Sequence, residues 1–522
     1  MADPETEHEA VRATGLAGYF RNWPEAAGLI AILVIGLVLR LQHLADVHSW
    51  FDESLGWRMS QFSPSEIIER SERNVHPPMH FLLLHCWANV FGTSLIALRC
   101  YSLLWGQLTV LGAYVFARSA TVSSQQPMGN TFGSLLAALF VSLSPMQVHW
   151  SQQIKMYTLG VCLAVWSSWL LLSWFQTRKF SRLLLYIPLA AALSLQHHYG
   201  VFTVFAQLTY ALGWAGYRWW KRDKDLLLPT VLAAWATPSL WSLWLPSFLI
   251  QRNLVREGYW IQEFDWQAVI NVWYQLLSYT SFSQPSLPVA WLTAETVWIG
   301  MLLLLARREP GVCLLAWLVL VPYLVAIFWS SVLHNVFVAR FLVFAQVFLL
   351  IGGGVLIGQF RSAPLRWGLA ILAIACMSSA TQAKWSQRSA EADTPGMPVL
   401  VDNLMEVRTR NEMVLVCNPM LYLNLRAHGP NLPRTYQFDP GYPFPHFQGT
   451  PVMTDSDYCS ASTLDQTKQS WVWTLDAEGW FGGNCKVPLS SEWKLHGEQR
   501  IREWYTMLVL RLYHRDPASV PE

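Results

Sequence analysis

The stretch EAAGLIAILVIGLVLRLQH, residues 25–43, decides the class of fold of this chain. A helix needs roughly 18 or more apolar residues in succession to cross the hydrocarbon core of a bilayer, and this run is long enough. Similar runs follow it, which predicts a polytopic α-helical membrane protein with about eleven transmembrane helices. The others lie near residues 96–117, 131–148, 156–175, 183–197, 199–217, 226–249, 289–306, 311–331, 340–360 and 364–382.

The composition supports this class. Of the 522 residues, 53% are hydrophobic and only 13% are charged, whereas about 25% are charged in a typical soluble domain. The net charge of +2 comes from cations scattered over short loops, so no nucleic acid is expected as a partner. Residues 1–24 are polar and acidic, unlike a cleavable signal peptide, and are predicted to be a cytoplasmic N-terminus before an uncleaved anchor.

Arginine and lysine residues follow every second predicted span, so that charged loops alternate with nearly uncharged ones. By the positive-inside rule the charged loops face the cytoplasm, and the others face the periplasm or a lumen. The cations that set this pattern are Arg12, Arg21, Arg118, Arg178, Lys179, Arg182, Arg218, Lys221, Arg222, Lys224, Arg307, Arg308, Arg361 and Arg366.

The apolar run Met79–Phe91 decides which side the later loops face. It has about 13 residues, which favours an interfacial or re-entrant helix over a span. If it crossed the membrane, every later charged loop would face outward. We therefore place it in a large outward loop, 44–95, together with a short amphipathic helix capped by Ser63 or Ser65. The C-terminus then lies outside the cytoplasm.

The last part of the chain differs from the rest. A transmembrane module over 25–385 is predicted to lead into a small extracytoplasmic α/β domain over 386–522. Strands are predicted at 413–417, 471–475 and 505–513 and a helix at 421–428, with a loosely ordered segment over 430–470. For Cys417, Cys459 and Cys485 of this domain two interpretations stay open. Either Cys459 and Cys485 form a disulfide, or all three are buried thiols.

Polar and ionisable residues gather in the outward loops. Because such clusters cost free energy near a bilayer, their presence on one side suggests a functional site there. Asp52 and Glu53 follow the first span beside aromatic residues. Adjacent carboxylates can act as a general base and as a group that orients an acceptor. The simpler alternative is that both residues stabilise the first turn of a helix.

A second element is His76-Pro77-Pro78-Met79-His80, in which the prolines fix the direction of the chain before the short helix. A metal site on His76 and His80 is conceivable, but two histidines alone specify a site poorly, so packing and hydrogen bonding are favoured.

The stretch SPMQVHWSQQIKMYTL, residues 144–159, contains a lone cation, Lys155, on a face with few others. Such a point charge suits a phosphate or pyrophosphate, the alternative being a lysine that merely extends to the interface. Tyr157 closes this motif, and Arg340 offers a second cation at the same predicted depth. The run Gln196-His197-His198-Tyr199, between two spans, adds polar donors.

Together these motifs resemble the integral-membrane GT-C glycosyltransferases, over roughly residues 25–360. The likeness is to the dolichyl-phosphate-mannose–protein mannosyltransferases and their bacterial relatives, including the lipid A aminoarabinose transferases. It implies a GT-C-like fold and a polyprenyl-phosphate-linked sugar donor. Relatives commonly have arginine where this chain has Lys155, which keeps the charge but loses a bidentate fork.

The resemblance also implies roles for the clustered residues. Asp52 is the expected catalytic base, and Glu53 is expected to assist in binding the acceptor. The residues expected to bind substrate are His76, Lys155, Tyr157, His197, His198, Tyr199 and Arg340. Polyprenyl phosphate is a good leaving group, so a single displacement with inversion of the sugar is predicted, with the cations offsetting the developing charge.

The expected partners are the lipid-linked donor, membrane lipids and an acceptor that is a lipid, a glycan or a protein. A divalent metal is possible, and no other cofactor is implied. The chain lacks an Asn-x-Ser/Thr acceptor, which favours a bacterial inner membrane with the active site facing the periplasm.

Three other functions fit the composition: another lipid-linked-sugar enzyme such as a ligase, a secondary transporter, and a scaffold. A transporter would show paired Gly or Pro interruptions in matching halves of the chain. The chain shows no such pairs at matching positions. The one exception is Gly352-Gly353-Gly354, which close helix packing also explains. A scaffold would not need Asp52.

Overall fold

The computed structural model describes residues 23–122, 130–257, 261, 263–279, 285–407, 412–467, 469–480, 483–504 and 506–516. Arg12 and Arg21, and with them nearly all of the predicted cytoplasmic N-terminus, lie outside these ranges. Most of the described chain is helical, and each predicted span coincides with one helix or with a broken pair of helices.

The helices before the sheet domain are Trp23–Leu41, Phe51–Met59, Pro64–Glu72, Met79–Phe91, Leu95–Ala120, Thr131–Leu143, Pro145–Ser151, Tyr157–Thr177, Phe180–Gln196, His198–Trp220, Leu227–Ser242, Leu245–Glu257, Trp266–Ser278, Leu287–Ala306, Pro310–Val332, Val343–Gly358 and Ala363–Ala392. In the described part of the chain, seven helices are long and apolar enough to cross a membrane, or up to eight if one bent pair forms a single span. The polytopic membrane character is confirmed, and the count of eleven spans stays a prediction.

The outward loop forms the helices expected of it. The run Met79–Phe91 is a helix of 13 residues with its own boundaries. Before it, Ser63 caps the helix Pro64–Glu72, and Glu66 completes a reciprocal capping box. Both helices begin where the sequence places a cap or a proline.

A bend of 57° separates the helices Thr131–Leu143 and Pro145–Ser151. Pro145 has no N–H to donate to the carbonyl of Val141, so the bend leaves that carbonyl without its helical partner. The buried Arg40 donates to this carbonyl and to that of Ser142, both at 3.3 Å, and to Ser151 Oγ at 3.1 Å. The first helix therefore holds the bend that leads the chain into the turn around Lys155.

The positively charged loops meet at one end of the helix bundle. Arg178 and Arg218 both contact Asp223 at 2.6 Å, and Gln176 donates to the carbonyl of Ser119 at 2.8 Å. The helix Tyr157–Thr177 runs from the Lys155 turn to this end. The two sets of loops are thus at opposite ends, as predicted, while their orientation in a membrane stays a prediction.

The glycines near residue 353 serve close packing. A Cβ atom on Gly354 would lie 2.5 Å from the backbone nitrogen of Ala137, and one on Gly358 would lie 2.5 Å from the Cα of Gly133. The helix Val343–Gly358 is continuous through this region. Its glycines therefore let it approach the helix Thr131–Leu143 and do not interrupt a span.

The C-terminal part is an α/β domain, as predicted. Its strands are β1 (Met413–Val416), β2 (Thr435–Asp439), β3 (Tyr458–Ser460), β4 (Trp471–Trp480), β5 (Gly483–Cys485), β6 (Lys494–Glu503) and β7 (Thr506–His514), and its helices are Gly396–Val407, Pro419–His428 and Ala461–Gln466. The sheet order is β3-β2-β1-β4-β7-β6, with β5 paired to β4. The first four are parallel, and β5, β6 and β7 pair antiparallel. The predicted boundary at 385/386 falls within the helix Ala363–Ala392.

Two sequence-based expectations about this domain were wrong. The segment 430–470, predicted to be loosely ordered, contains β2 and β3. The distant β1 pairs with β2, and β2 pairs with β3, so the sheet orders both short strands. The disulfide joins Cys417 to Cys485, with 5.9 Å between their Cα atoms, and Cys459 is a buried thiol. Cys417 follows β1 and Cys485 lies on β5 beside β4, whereas Cys459 is on β3 at the sheet edge.

Candidate active site

An ion pair between Asp52 and Lys155 lies at the centre of the outward cluster. Asp52 is in the first turn of the helix Phe51–Met59, and its Oδ2 is 3.0 Å from Lys155 Nζ. The lysine side chain is 9% exposed and the aspartate 23%. Burial lowers the pKa of Lys155, and the neighbouring Asp52 carboxylate opposes that effect. A buried cation thus faces a carboxylate that solvent and solutes can still reach.

Glu53 fixes the position of this pair. It is fully buried, and its two carboxylate oxygens accept hydrogen bonds from Arg99 at 2.9 and 2.7 Å. One of them also accepts the backbone N–H of Ile154 at 3.0 Å. Arg99 in turn donates to the carbonyls of Leu44 and Val47. Glu53 therefore ties the end of the first span and the Lys155 turn to the helix that carries Asp52.

The turn before Lys155 is held by its glutamines. Gln152 donates to the carbonyls of Arg40 and Gln42, at 3.1 and 2.6 Å. Gln153 accepts a hydrogen bond from the Trp50 indole. That indole ring centre is 6.0 Å from Lys155 Nζ, which is within the range of a cation–π contact. The turn is thus clamped to the residues that flank Asp52.

Aromatic and imidazole rings form one wall of the site. The ring centres of His76 and His197 are 5.3 Å apart, and those of Tyr157 and His197 are 5.6 Å apart. Burial lowers the pKa of His76 well below 6.5, and the charges of His197, Lys155 and Arg340 lower it further. His76 is therefore neutral at pH 7 and can both donate and accept hydrogen bonds.

Arg340 brings a second cation to this wall. It lies in the 3₁₀ turn Ala339–Leu342, with its guanidinium 5.4 Å from the ring centre of Phe341. The Phe341 ring is in turn 5.4 Å from that of His197. The charge of Arg340 also acts on Lys155. The structure thus brings Arg340 into the cluster from a distant part of the chain.

His198 and Tyr199 join the cluster to its surroundings. His198 Nε2 is 3.0 Å from Gln251 Oε1, and the Gln251 amide donates to the carbonyl of His76 at 3.2 Å. The Tyr199 hydroxyl donates to the carbonyl of Val336, in the loop before Arg340. Both side chains therefore hold loops that carry other residues of the cluster.

The histidine pair of the outward loop is not part of a metal-ligand cluster. His80 is buried between the rings of Phe81 and Tyr101, with ring centres 5.2 and 5.7 Å away. Within the ranges that the structure describes, no group of three or more His, Cys, Asp or Glu side chains could hold a metal ion. No ligand set for a metal is proposed.

Sequence reasoning missed Arg99 and Trp50. A charged residue inside a predicted span has to find a partner, and Arg99 lies at residue four of the region 96–117. That signal, together with the unpaired Glu53, could have identified the buried pair. Trp50 carried no comparable signal, because aromatic residues are common at membrane interfaces.

Comparisons with known proteins agree with this architecture. A family model described as dolichyl-phosphate-mannose-protein mannosyltransferase matches residues 75–244. The crystal structure of ArnT from Cupriavidus metallidurans in the apo state superposes with a TM-score of 0.59 at 13% identity, covering 93% of this chain and 98% of that one. The chain has the GT-C fold.

A second structure supports the GT-C fold. ArnT from Cupriavidus metallidurans bound to undecaprenyl phosphate gives a TM-score of 0.56 at 14% identity, covering 92% of this chain and 97% of that one. No curated protein matches the chain in sequence. At this identity the likeness is one of fold, and the resemblance predicted from the motifs is confirmed.

Proposed function

We propose that this protein is a glycosyltransferase that moves a sugar from a polyprenyl-phosphate-sugar donor to an extracytoplasmic acceptor. The observation that carries the proposal is the Asp52–Lys155 pair, a reachable carboxylate beside a buried cation in a GT-C fold. ArnT, which shares the fold, has been crystallised with undecaprenyl phosphate. The charged loops at the opposite end of the bundle support an orientation in which the site faces away from the cytoplasm. We place the protein in a bacterial inner membrane, with the site facing the periplasm.

Lys155 and Arg340 bind the donor phosphate in this proposal. When the bond between the anomeric carbon and the phosphate oxygen breaks, the electron pair stays on the phosphate. Two cations in a largely buried site stabilise this charge more than they would in water. No acid is then needed to protonate the leaving oxygen.

Asp52 acts as the general base. The acceptor hydroxyl or amine attacks the anomeric carbon and forms the new bond while Asp52 Oδ takes its proton. One displacement of this kind inverts the anomeric centre. General-base assistance contributes about 10²–10⁴-fold.

The resting ion pair connects donor binding to this step. Asp52 Oδ2 is 3.0 Å from Lys155 Nζ. A donor phosphate that binds Lys155 competes for that ammonium group and leaves the Asp52 carboxylate to contact the acceptor.

The surrounding residues position the substrates. Glu53 assists acceptor binding indirectly, because its bonds to Arg99 fix the helix on which Asp52 lies. The neutral His76, with Tyr157 and His197, offers hydrogen-bonding and stacking groups to the sugar. His198 and Tyr199 hold the loops behind them.

The test is turnover of the donor lipid. Purified protein is incubated with extracted envelope lipids, and polyprenyl-phosphate sugars are followed by mass spectrometry. Loss of one species with a matching gain of polyprenyl phosphate is expected for wild type. The variants Lys155→Met and Arg340→Met should need more donor or cleave it more slowly.

The matched control is Arg73→Met, because Arg73 is an exposed cation of the same outward loop. Wild-type donor kinetics in both Lys155→Met and Arg340→Met would remove the phosphate assignment. No turnover by wild type in an extract with donor and acceptor would refute the proposed enzyme class.

A further inference from the structure

The α/β domain has a cavity of about 440 Å³ beside β2 and β3. Asp439 ends β2 and Tyr458 begins β3, and the register of the two strands places both side chains on one face of the sheet. The segment between the strands supplies the rest of the lining, Gly441, Tyr442, Pro443, Phe444 and Thr450. The volume is in the range of sites that bind small molecules.

The lining combines open aromatic rings with polar groups that have no partner within the described chain. Tyr442 is 64% exposed, and its ring centre is 6.0 Å from that of Phe444. One oxygen of Asp439 accepts a backbone N–H at 2.9 Å. The other oxygen, and the hydroxyls of Tyr442, Thr450 and Tyr458, have no hydrogen-bond partner among the described residues. Such a lining suits a sugar, whose C–H groups pack on rings and whose hydroxyls bond to the oxygens.

The charge of the cavity restricts which sugars fit. Burial raises the pKa of Tyr458, and the negative charges of Asp457, Asp439 and Asp455 raise it further. The residues that line the cavity include no arginine or lysine. A phosphorylated or carboxylated sugar would therefore be repelled, whereas an uncharged one would not.

This cavity is tied to the helix that carries Asp52. A Cβ atom on Gly449, the residue before Thr450, would lie 3.0 Å from the ring of Phe51, the neighbour of Asp52. Arg70 of the outward loop donates to two backbone carbonyls shortly after Thr450, at 3.0 and 3.2 Å. The segment that lines the cavity is therefore packed against the start of the Asp52 helix.

We propose that this cavity binds an uncharged oligosaccharide, the glycan part of the acceptor. Tyr442 stacks on one face of a sugar ring, and the free oxygen of Asp439 accepts hydrogen bonds from the sugar hydroxyls. The role of this glycan as acceptor rests on the proposed function, whereas the binding of a saccharide does not. A basic peptide is the competing ligand, but the edge strand β3 has only three residues, too few to pair with an extended peptide.

The test measures saccharide binding to purified full-length protein in a polyoxyethylene detergent, because maltoside headgroups are themselves sugars. Maltotriose, cellotriose, mannotriose and triacetylchitotriose are titrated by saturation-transfer NMR, with trigalacturonic acid as the anionic probe. Wild type should bind at least one uncharged trisaccharide more tightly than the anionic one. Tyr442→Ala should lose about ten-fold in affinity. Tyr442→Phe keeps the ring and should stay within about three-fold of wild type.

Two further variants separate recognition from folding. Tyr217→Ala removes a tyrosine that is also exposed, at the charged end of the bundle, and should bind as wild type does. Asp439→Asn keeps an oxygen for the backbone N–H that Asp439 accepts. It should bind the uncharged trisaccharide more weakly and the anionic one more tightly, and a general loss of folding cannot produce these opposite changes.

Three results would overturn the proposal: no binding of any uncharged trisaccharide by wild type, equal affinity in Tyr442→Ala, or tighter binding of tetralysine than of every trisaccharide. In the transfer reaction, Tyr442→Ala should raise the KM for the acceptor about ten-fold, with kcat and the KM for the donor unchanged. An absence of donor turnover by wild type would refute the glycosyltransferase function, while the titrations would still decide whether the cavity binds a saccharide.

Discussion

Removing Arg99 should destabilise this protein more than most single substitutions. Arg99 and Glu53 are 1% and 0% exposed, and Arg99 also donates to two backbone carbonyls. Breaking a buried pair by removing one partner costs about 3–5 kcal/mol, since the remaining charge stays buried without compensation. Because Arg99→Met also orphans the carbonyls of Leu44 and Val47, the expected loss lies near the upper end of that range.

A second substitution should restore part of this loss. In Arg99→Met/Glu53→Gln the buried negative charge is gone, and the Gln oxygen can still accept the N–H of Ile154. We expect the double variant to recover about 2–3 kcal/mol relative to Arg99→Met. The free energy of unfolding is measured by denaturant titration of the purified protein in one detergent.

Arg73→Met removes an exposed cation whose partner Glu69 is also exposed, and it should change the free energy of unfolding by less than about 1 kcal/mol. An effect of Arg99→Met as mild as that of this control would contradict the prediction. A double variant no more stable than Arg99→Met would also contradict it, because the buried charge would then not be the cause of the loss.

Three further predictions concern packing, the disulfide and pH. Gly354→Ala should cost about 1–3 kcal/mol of stability in thermal unfolding, because its Cβ would lie 2.5 Å from the backbone nitrogen of Ala137. Gly353→Ala should be tolerated, because the nearest atom to its Cβ would be 3.8 Å away. Equal effects of the two variants would contradict this prediction. Cys417→Ser should lose the disulfide and about 4 kcal/mol of the free energy of unfolding. In Cys459→Ser, non-reducing peptide mapping should still find the Cys417–Cys485 bond, and its absence would contradict the pairing. Burial lowers the pKa of His80 to about 3, so the unfolded chain binds a proton that the folded chain does not. His80 should therefore lower the free energy of unfolding by up to about 1.4 kcal/mol for each unit that the pH falls from 6.5 to 3. If unfolding titrations of His80→Phe showed the same dependence on pH as those of wild type, this prediction would be wrong.

Local signals in the sequence predicted most of the helical part. The length of the apolar runs located each long helix, and the run Met79–Phe91 forms a separate helix of 13 residues. Of the two predicted caps, Ser63 and Ser65, Ser63 caps the helix Pro64–Glu72. These features depend on residues close in the chain, so no knowledge of tertiary contacts was needed.

The rest depended on contacts between distant residues. The parallel pairing of β2 with β1 orders a segment whose own composition indicates a loop, and the partner of Cys485 follows from the sheet order. The cluster was predicted as a set of residues on one face, but its pairing was not. Asp52 pairs with Lys155 and stays accessible to solvent. Its neighbour Glu53 pairs with Arg99 and is fully buried.

The most direct test of the account is the single-turnover rate of sugar transfer by Asp52→Asn with saturating donor and acceptor. The amide cannot take the acceptor proton, so the rate should fall by about 10²–10⁴-fold. Donor binding should be retained, because Lys155 and Arg340 are unchanged. Asp46→Asn, at an exposed carboxylate just after the first span, should transfer at the wild-type rate. A rate for Asp52→Asn close to that of wild type would contradict the assignment of Asp52 as the base.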